Sequence, residues 1–155
     1  LLFTQFASWG NLLQIYFQKK LRCKVPFLHG GTRKQERQAM VDRFQEDPRG
    51  PQLFLLSLKA GGLGLNLTRA NHVFHIDRWW NPAVENQATD RAYRIGQTNR
   101  VMVHKFITSG SIEEKIDSMI REKSQLAEDI IGTSEEWLGN LAVSEIQTLV
   151  ALDNP

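Results

Sequence analysis

Three residues in the segment 83–94 are of the type that handles phosphate. Gln87, Arg91 and Arg94 stand at i, i+4 and i+7, so on a helix they share one face. Val84, Ala88, Ala92 and Ile95 lie about a quarter turn away, so an apolar stripe can dock that helix while two guanidiniums point along a cleft wall. Guanidinium is always charged and forks onto phosphate oxygens, which suits a phosphoryl-transfer site. A surface helix whose arginines pair with Glu85 and Asp90 would carry the same residues.

A second set runs from Ser57 to Thr68. Gly61, Gly62 and Gly64 fall within four residues, directly after an apolar stretch. Glycines there let backbone N–H groups approach a ligand closely; a tight structural turn would also use them. No Gly-Lys-Ser/Thr ending exists in the chain, so this is not a Walker A loop. The third set is Asp77-Arg78-Trp79-Trp80-Asn81-Pro82. Two adjacent tryptophans cannot point the same way. One is expected in the core, which leaves the other to stack on nucleic acid. His72 and His75 do not read as a metal pair, because i and i+3 on a strand face opposite sides. No nucleophile–base pair stands out.

These segments need elements to position them. Apolar runs at Leu1–Thr4, Val25–His29, Gln52–Ser57, His72–Ile76 and Val101–Ile107 read as strands. Helices are expected between them at 6–21, 33–45 and 83–94. The first has apolar positions at Phe6, Trp9, Leu13, Phe17 and Leu21 and is weakened by Gly10. The second has Met40 and Phe44 on one side, and the third has Asn81 as N-cap and Pro82 at its first position. Strands alternating with helices predict an α/β fold, an open, mainly parallel sheet with helices on both faces. Ligands of such sheets sit beyond the carboxyl ends of the strands. Gly30–Thr32, Lys59–Asn66 and Arg78–Asn81 all follow strand ends. From Ser111-Ile112-Glu113-Glu114, a capping box, the chain reads as helical, with a stripe Ile112, Ile116, Met119, Leu126, Ile130 and a stop at Gly132. Weaker boxes follow at Thr133…Glu136 and Ser144…Gln147.

The 155 residues are 41% hydrophobic and 23% charged, ordinary for one globular domain. No apolar run approaches the ~20 residues that span a bilayer, and no membrane partner is expected. Cys23 is alone, which excludes a disulfide framework or a cysteine-rich zinc site. The net charge of +2 hides a split: residues 1–110 carry 16 Lys/Arg against 7 Asp/Glu, and residues 111–155 carry 3 against 10. A basic body suits a polyanion, and the acidic part suits a separate structural role. The opening Leu1-Leu2-Phe3-Thr4 suggests a piece of a longer protein.

Five segments come in a characteristic order and spacing: Leu1–Phe6, Leu28–Thr32, Ser57–Thr68, Asp77–Pro82 and Gln87–Gln97. Over residues 1–131 they resemble the motor motifs of the second RecA-like lobe of superfamily 2 ATPases. Trp80-Asn81-Pro82 and Asp90-Arg91…Arg94-Ile95-Gly96-Gln97 take the forms of the Swi/Snf-type DNA translocases. The resemblance implies a RecA-like motor lobe over 1–110 and a C-terminal helical brace over 111–155. It implies that Arg91 and Arg94 are arginine fingers with Gln87 near the γ-phosphate. Gly62, Gly64 and Asn66 would couple nucleotide to DNA, and Thr32, Ser57, Lys59 and Trp80 would lie at or near the DNA backbone. ATP and Mg²⁺ would be held mainly by an upstream first lobe, since the Walker A lysine and the Asp-Glu-x-His box are missing here. This chain alone is therefore expected not to hydrolyse ATP. The partners implied are that first lobe and double-stranded DNA; the protein target is left open. An unwinding helicase lobe and a catalytically idle scaffold are the competing expectations. The segment with Trp137-Leu138 and Glu145–Leu152 resembles bacterial or archaeal members, which implies a cytoplasmic, nucleoid-associated protein; a eukaryotic chain would be nuclear.

Overall fold

The computed structural model describes residues 1–61 and 64–126. Gly62, the brace beyond Leu126 and the two weaker capping boxes lie outside the described residues. Five strands are present: β1 (Leu2–Thr4), β2 (Phe27–Leu28), β3 (Leu55–Ser57), β4 (His72–His75) and β5 (Met102–Lys105). All pair in parallel, in the order β2-β3-β1-β4-β5. The helices are α1 (Ala7–Leu21), α2 (Lys34–Glu46), α3 (Pro82–Thr89) and α4 (Ile112–Leu126), with a 3₁₀ turn at Leu58–Gly61. The expected α/β architecture is present, RecA-like, with shorter strands than the apolar runs suggested.

Helices cover both faces of the sheet. On one face Phe3, Leu28, Leu56 and Val73 pack with Val41 and Phe44 of α2 and Ala88 of α3. On the other, Leu2, Phe27 and Leu55 pack with Leu13 of α1. Strands covered on both faces gain from every side chain, which is why they read as unbroken apolar runs.

The stripe expected along α1 is only partly buried. Leu13 is in the core and Phe17 packs beside it, but Phe6, Trp9 and Leu21 are exposed. The contact face is set by Gly10, which is buried against the Phe27 ring. A Cβ at position 10 would lie 2.2 Å from Phe27 Cζ. Gly10→Ala therefore gains about 1 kcal/mol of helix propensity but forces a rigid ring to move, at about 1–3 kcal/mol. The net expectation is lower stability, read as a reduced denaturant midpoint. A midpoint that rises would show that Phe27 moves freely.

α3 is shorter than expected. It ends at Thr89, with Asp90 as its C-cap, so Gln87, Arg91 and Arg94 do not share a helical face. Beyond it the Arg91 and Ala92 N–H groups bond three residues back, to Ala88 O and Thr89 O, a tighter turn than the α-helix, and the carbonyls that follow bond to other segments. Arg91 O accepts the Leu67 N–H at 2.8 Å, and Ala92 O accepts from Gln97 Nε2 at 3.0 Å. Val84, Ala88 and Ala92 pack on the core as expected, whereas Ile95 is 100% exposed.

Candidate functional site

The loops after the strands gather at one end of the sheet. Segments 64–70 and 91–97 are laced together there. The Arg94 guanidinium donates from Nη1 to Gly64 O at 2.8 Å. Gln97 Nε2 lies 2.9, 2.9 and 3.0 Å from the carbonyls of Thr68, Ala70 and Ala92. Gly64 and Gly96 have φ of 58° and 99°, conformations that favour glycine. Asn66, Tyr93, Arg94, Ile95, Gly96 and Gln97 line an open concavity of about 760 Å³.

Arg91 lies behind this surface, only 4% exposed. Its guanidinium sits 5.6 Å from the centre of the Phe3 ring. Its Nη1 is buried with no hydrogen-bond partner among the described residues. Burial, and then the neighbouring Arg94, bring its pKa down to about 10, so it stays charged at neutral pH. A buried guanidinium without a carboxylate is costly. Gln87, by contrast, stands exposed on α3, and among the described residues its side chain makes no hydrogen bond to either arginine. The structure thus brings Arg91, Arg94, Gly64 and Asn66 together and leaves Gln87 apart.

The four residues expected at DNA divide in two. Thr32 and Ser57 are buried and build their own turns. Thr32 Oγ1 accepts from the His29 N–H at 3.1 Å, and Ser57 Oγ accepts from the Ala60 N–H at 3.2 Å. Each hydroxyl still has its own proton to donate. Lys59 is exposed. Trp79 packs on the core, and half-buried Trp80 leans on it, ring centres 5.5 Å apart. The core place expected for one of the two tryptophans falls to Trp79.

Sequence reasoning missed the polar centre beneath this surface. Arg78, 2% exposed, follows β4. Its Nε lies 3.0 Å from Glu85 Oε1 on α3, and its Nη1 pairs with Asp117 on α4. Glu85 is fully buried. It also accepts the Trp79 N–H at 3.0 Å and faces Lys105 Nζ of β5 at 3.0 Å. Burial alone would raise the Glu85 pKa. The Trp79 N–H, Lys105 and Arg78 outweigh it and hold the group below the usual carboxylate range. Asp117 is further paired with Arg121 at 2.7 Å, and the Arg78 N–H donates to Glu113 at 3.2 Å. The helix that carries Glu113 and Asp117 is fixed at its start nearly as the capping box predicts. Ser111 Oγ accepts from the Glu113 N–H at 3.2 Å, while Glu114 reaches back to the Gly110 N–H at 2.8 Å. Nearby, Asp77 accepts from the Thr4 hydroxyl and from the Gln5 N–H at 2.9 Å. Burial raises its pKa against the pull of those two bonds.

His75 is the buried titratable group beside this network. It is fully buried, with Nε2 3.1 Å from Thr89 Oγ1 and its ring stacked on Phe3. Burial brings its pKa down from 6.5 to about 4; Glu85 opposes the shift, and Lys105 and Arg78 add to it. The unfolded chain therefore binds this proton more readily than the folded one. The contribution is intact above pH 6.5 and is lost as pH falls toward 4, by about 3 kcal/mol. Chemical unfolding at pH 7 and pH 4.5, beside His75→Gln, is expected to show a smaller loss on acidification in the variant. Equal losses would overturn the assignment.

The parallel sheet order and the loops gathered at the strand ends define a RecA-like α/β lobe. Residues 1–96 match the family model described as the helicase conserved C-terminal domain, and the chain belongs to that family. It is 55% identical over 152 residues to YwqA of Bacillus subtilis, whose name describes an ATP-dependent helicase/translocase; the match covers 98% of this chain and 16% of that protein. It is 40% identical over 153 residues to the DNA repair protein RAD5 of Candida glabrata, covering 95% and 13%. Among solved structures, the Sulfolobus solfataricus SWI2/SNF2 ATPase core in complex with double-stranded DNA matches with a TM-score of 0.77 at 42% identity, covering 99% of this chain and 32% of that one. The family is thus the Swi2/Snf2 type, and the chain spans about a sixth or less of the curated relatives it matches.

Proposed function

We propose that this chain is the second motor lobe of an ATP-dependent double-stranded DNA translocase. In this reading it supplies Arg91 and Arg94 to nucleotide held by an upstream lobe, and it is inactive in hydrolysis alone. The observation that carries the reading is the buried Arg91 guanidinium beside Arg94, whose Nη1 has no hydrogen-bond partner among the described residues. A phosphate brought by a second lobe would give that charge the partner it lacks. Making the partner depend on lobe closure makes hydrolysis conditional on closure. The groups here suit an anion: two guanidiniums, Asn66 and a glycine-bearing backbone. No cluster of three or more His, Cys, Asp or Glu that could hold a metal occurs among the described residues, so Mg²⁺ would arrive with the nucleotide. Bound there, it would neutralise charge on the phosphates.

Lys59, Trp80 and the Thr32 and Ser57 hydroxyls would meet the DNA backbone, contacts that carry little sequence information and so suit tracking. Residues 1–110 would form the motor lobe and 111–155 its brace. The test is ATP hydrolysis by the full-length parent, with and without duplex DNA, beside this chain alone. Duplex-stimulated turnover in the parent only is the expected result. Turnover by the isolated chain would refute its inactivity. No turnover with any nucleic acid would favour a scaffold, and displacement of a labelled strand would favour an unwinding helicase. Lys59→Ala is expected to weaken duplex binding equally across sequences and to reduce the salt slope by about 0.9, one phosphate contact. A sequence-dependent loss would argue that Lys59 reads bases.

A further inference from the structure

A second cluster of ligating side chains lies across β4 and β5, away from the arginines. His72 and His75 face opposite sides of one strand. The neighbour of His72 is instead His104, 32 positions further on, with His72 Nδ1 3.1 Å from His104 Nε2. The ring centres are 5.4 Å apart and the planes lie within 14° of parallel. The centre separation exceeds the nitrogen separation by the two ring radii. The rings are therefore close to coplanar, and the two nitrogens face each other head-on. Phe74 stacks on His104, 4.5 Å between centres at 12°, and holds that plane.

In a neutral pair one of these nitrogens donates and the other accepts. Both present a lone pair when each imidazole carries its proton on the nitrogen that faces away, His72 Nε2 and His104 Nδ1. Met102 adds a third donor. It pairs in register with His72 and precedes His104 by two residues, so all three side chains leave the same face of the sheet. Met102 is 42% exposed, and His72 is exposed beside it.

Two imidazoles and a thioether are a soft donor set. The geometry selects further. Tetrahedral Zn²⁺ needs nitrogens whose lone pairs converge at an angle. Head-on nitrogens suit an ion that takes two ligands in a line and a third from the side. Monovalent copper does this, and thioether sulfur favours it. With metal–nitrogen bonds of about 2 Å, the rings must part by roughly 1 Å, a movement open to the exposed His72 side chain.

We propose that His72, His104 and Met102 form a surface site for Cu⁺ that ties β4 to β5. The site begins at the opening residues of both strands, on the sheet face where Phe74 packs toward α1. It does not depend on the motor reading.

The test uses the full 155-residue chain with Cys23→Ser, because the half-buried Cys23 thiol competes for a soft ion. The probes are Cu⁺, kept reduced and competed against a coloured chelator, and Zn²⁺. One equivalent of Cu⁺ is expected to bind. Loss of even an outer-shell partner costs about 10–100-fold in metal affinity. His72→Gln and His104→Gln are each expected to weaken binding by at least about tenfold, and Met102→Leu several-fold, while His29→Gln leaves it unchanged. The ion meets its three ligands together only in the folded chain, so Tm is expected to rise with Cu⁺ and not with equimolar Zn²⁺. Binding that survives either histidine substitution at the site, that falls equally in His29→Gln, or that Zn²⁺ matches would overturn the proposal. One ion held between two chains, seen as a dimer by light scattering, would overturn it too. Nitrogen-15 NMR needs no substitution at the site. Ag⁺, a redox-inert stand-in for Cu⁺, is expected to shift His72 Nδ1 and His104 Nε2 and to leave His29 and His75 in place. No shift at those two nitrogens, or shifts spread over all four histidines, would overturn the site and leave the pair as a hydrogen bond between strands.

Discussion

Arg91→Ala in the full-length parent is expected to lower duplex-stimulated ATP turnover by about 10³-fold or more and to leave DNA affinity nearly unchanged. The magnitude is that of removing a guanidinium that stabilises phosphoryl-transfer charge. The separation of the two effects follows from position. Arg91 is buried behind Phe3, whereas the candidate DNA contacts lie at Lys59 and Trp80 on other loops. The fold is expected to survive: Arg91 pairs with no carboxylate among the described residues, so removing its buried charge relieves a desolvation cost even as it leaves a gap. A melting temperature for Arg91→Ala close to the parent's is the control. Arg91→Lys keeps the charge but loses the planar fork, and an intermediate turnover is expected. Turnover that survives Arg91→Ala, or DNA affinity that falls in step with it, would refute the role.

The second large effect is on stability. Arg78→Met fills much of the same space but removes the guanidinium from two carboxylates. Glu85 would remain with Lys105, and Asp117 with Arg121. Removing one partner from a buried ion pair costs about 3–5 kcal/mol, which for a domain of this size lowers Tm by on the order of 10 °C. Lys105→Met is the contrast. Its side chain is 36% exposed, and an exposed pair is worth about 0–1 kcal/mol. Denaturant midpoints for the two variants are expected to differ by several-fold in their shift from the parent. Equal small shifts would mean that Arg78 is replaceable by any side chain of its volume.

What could be read in advance follows from what is local. The strands announced themselves because burial on both faces leaves no polar interruption, and Leu55–Ser57 and His72–His75 fell inside the expected runs. The cap at Asn81 was legible because its Oδ1 accepts from Ala83, two residues on. The extension of α3 to residue 94 was not refutable from spacing. The segment after Thr89 is tied instead to Leu67, 24 positions earlier in the chain, whose N–H bonds the Arg91 carbonyl. Gly10 was weighed only as a cost to its helix, when its missing side chain is what lets α1 approach Phe27. The network of Arg78, Glu85 and Asp117 was not legible because partners 7 and 39 positions away meet only through the crossing of the chain. The site divides the same way. The arginine and glycine segments were visible as motifs, and their mutual bonds were not.

Those bonds have a mechanical consequence. The amide of Gln97 shares two N–H groups among three carbonyls, while Arg94 is bonded to Gly64. A free loop of this length rearranges in nanoseconds to microseconds. One stitched at both ends to its neighbour behaves as part of a solid. The Arg94 side chain, exposed, still exchanges rotamers in picoseconds to nanoseconds. The backbone that carries it does not, and in the motor reading proposed above any larger advance of that backbone toward a phosphate moves with the sheet, on the microsecond-to-millisecond clock of hinged bodies.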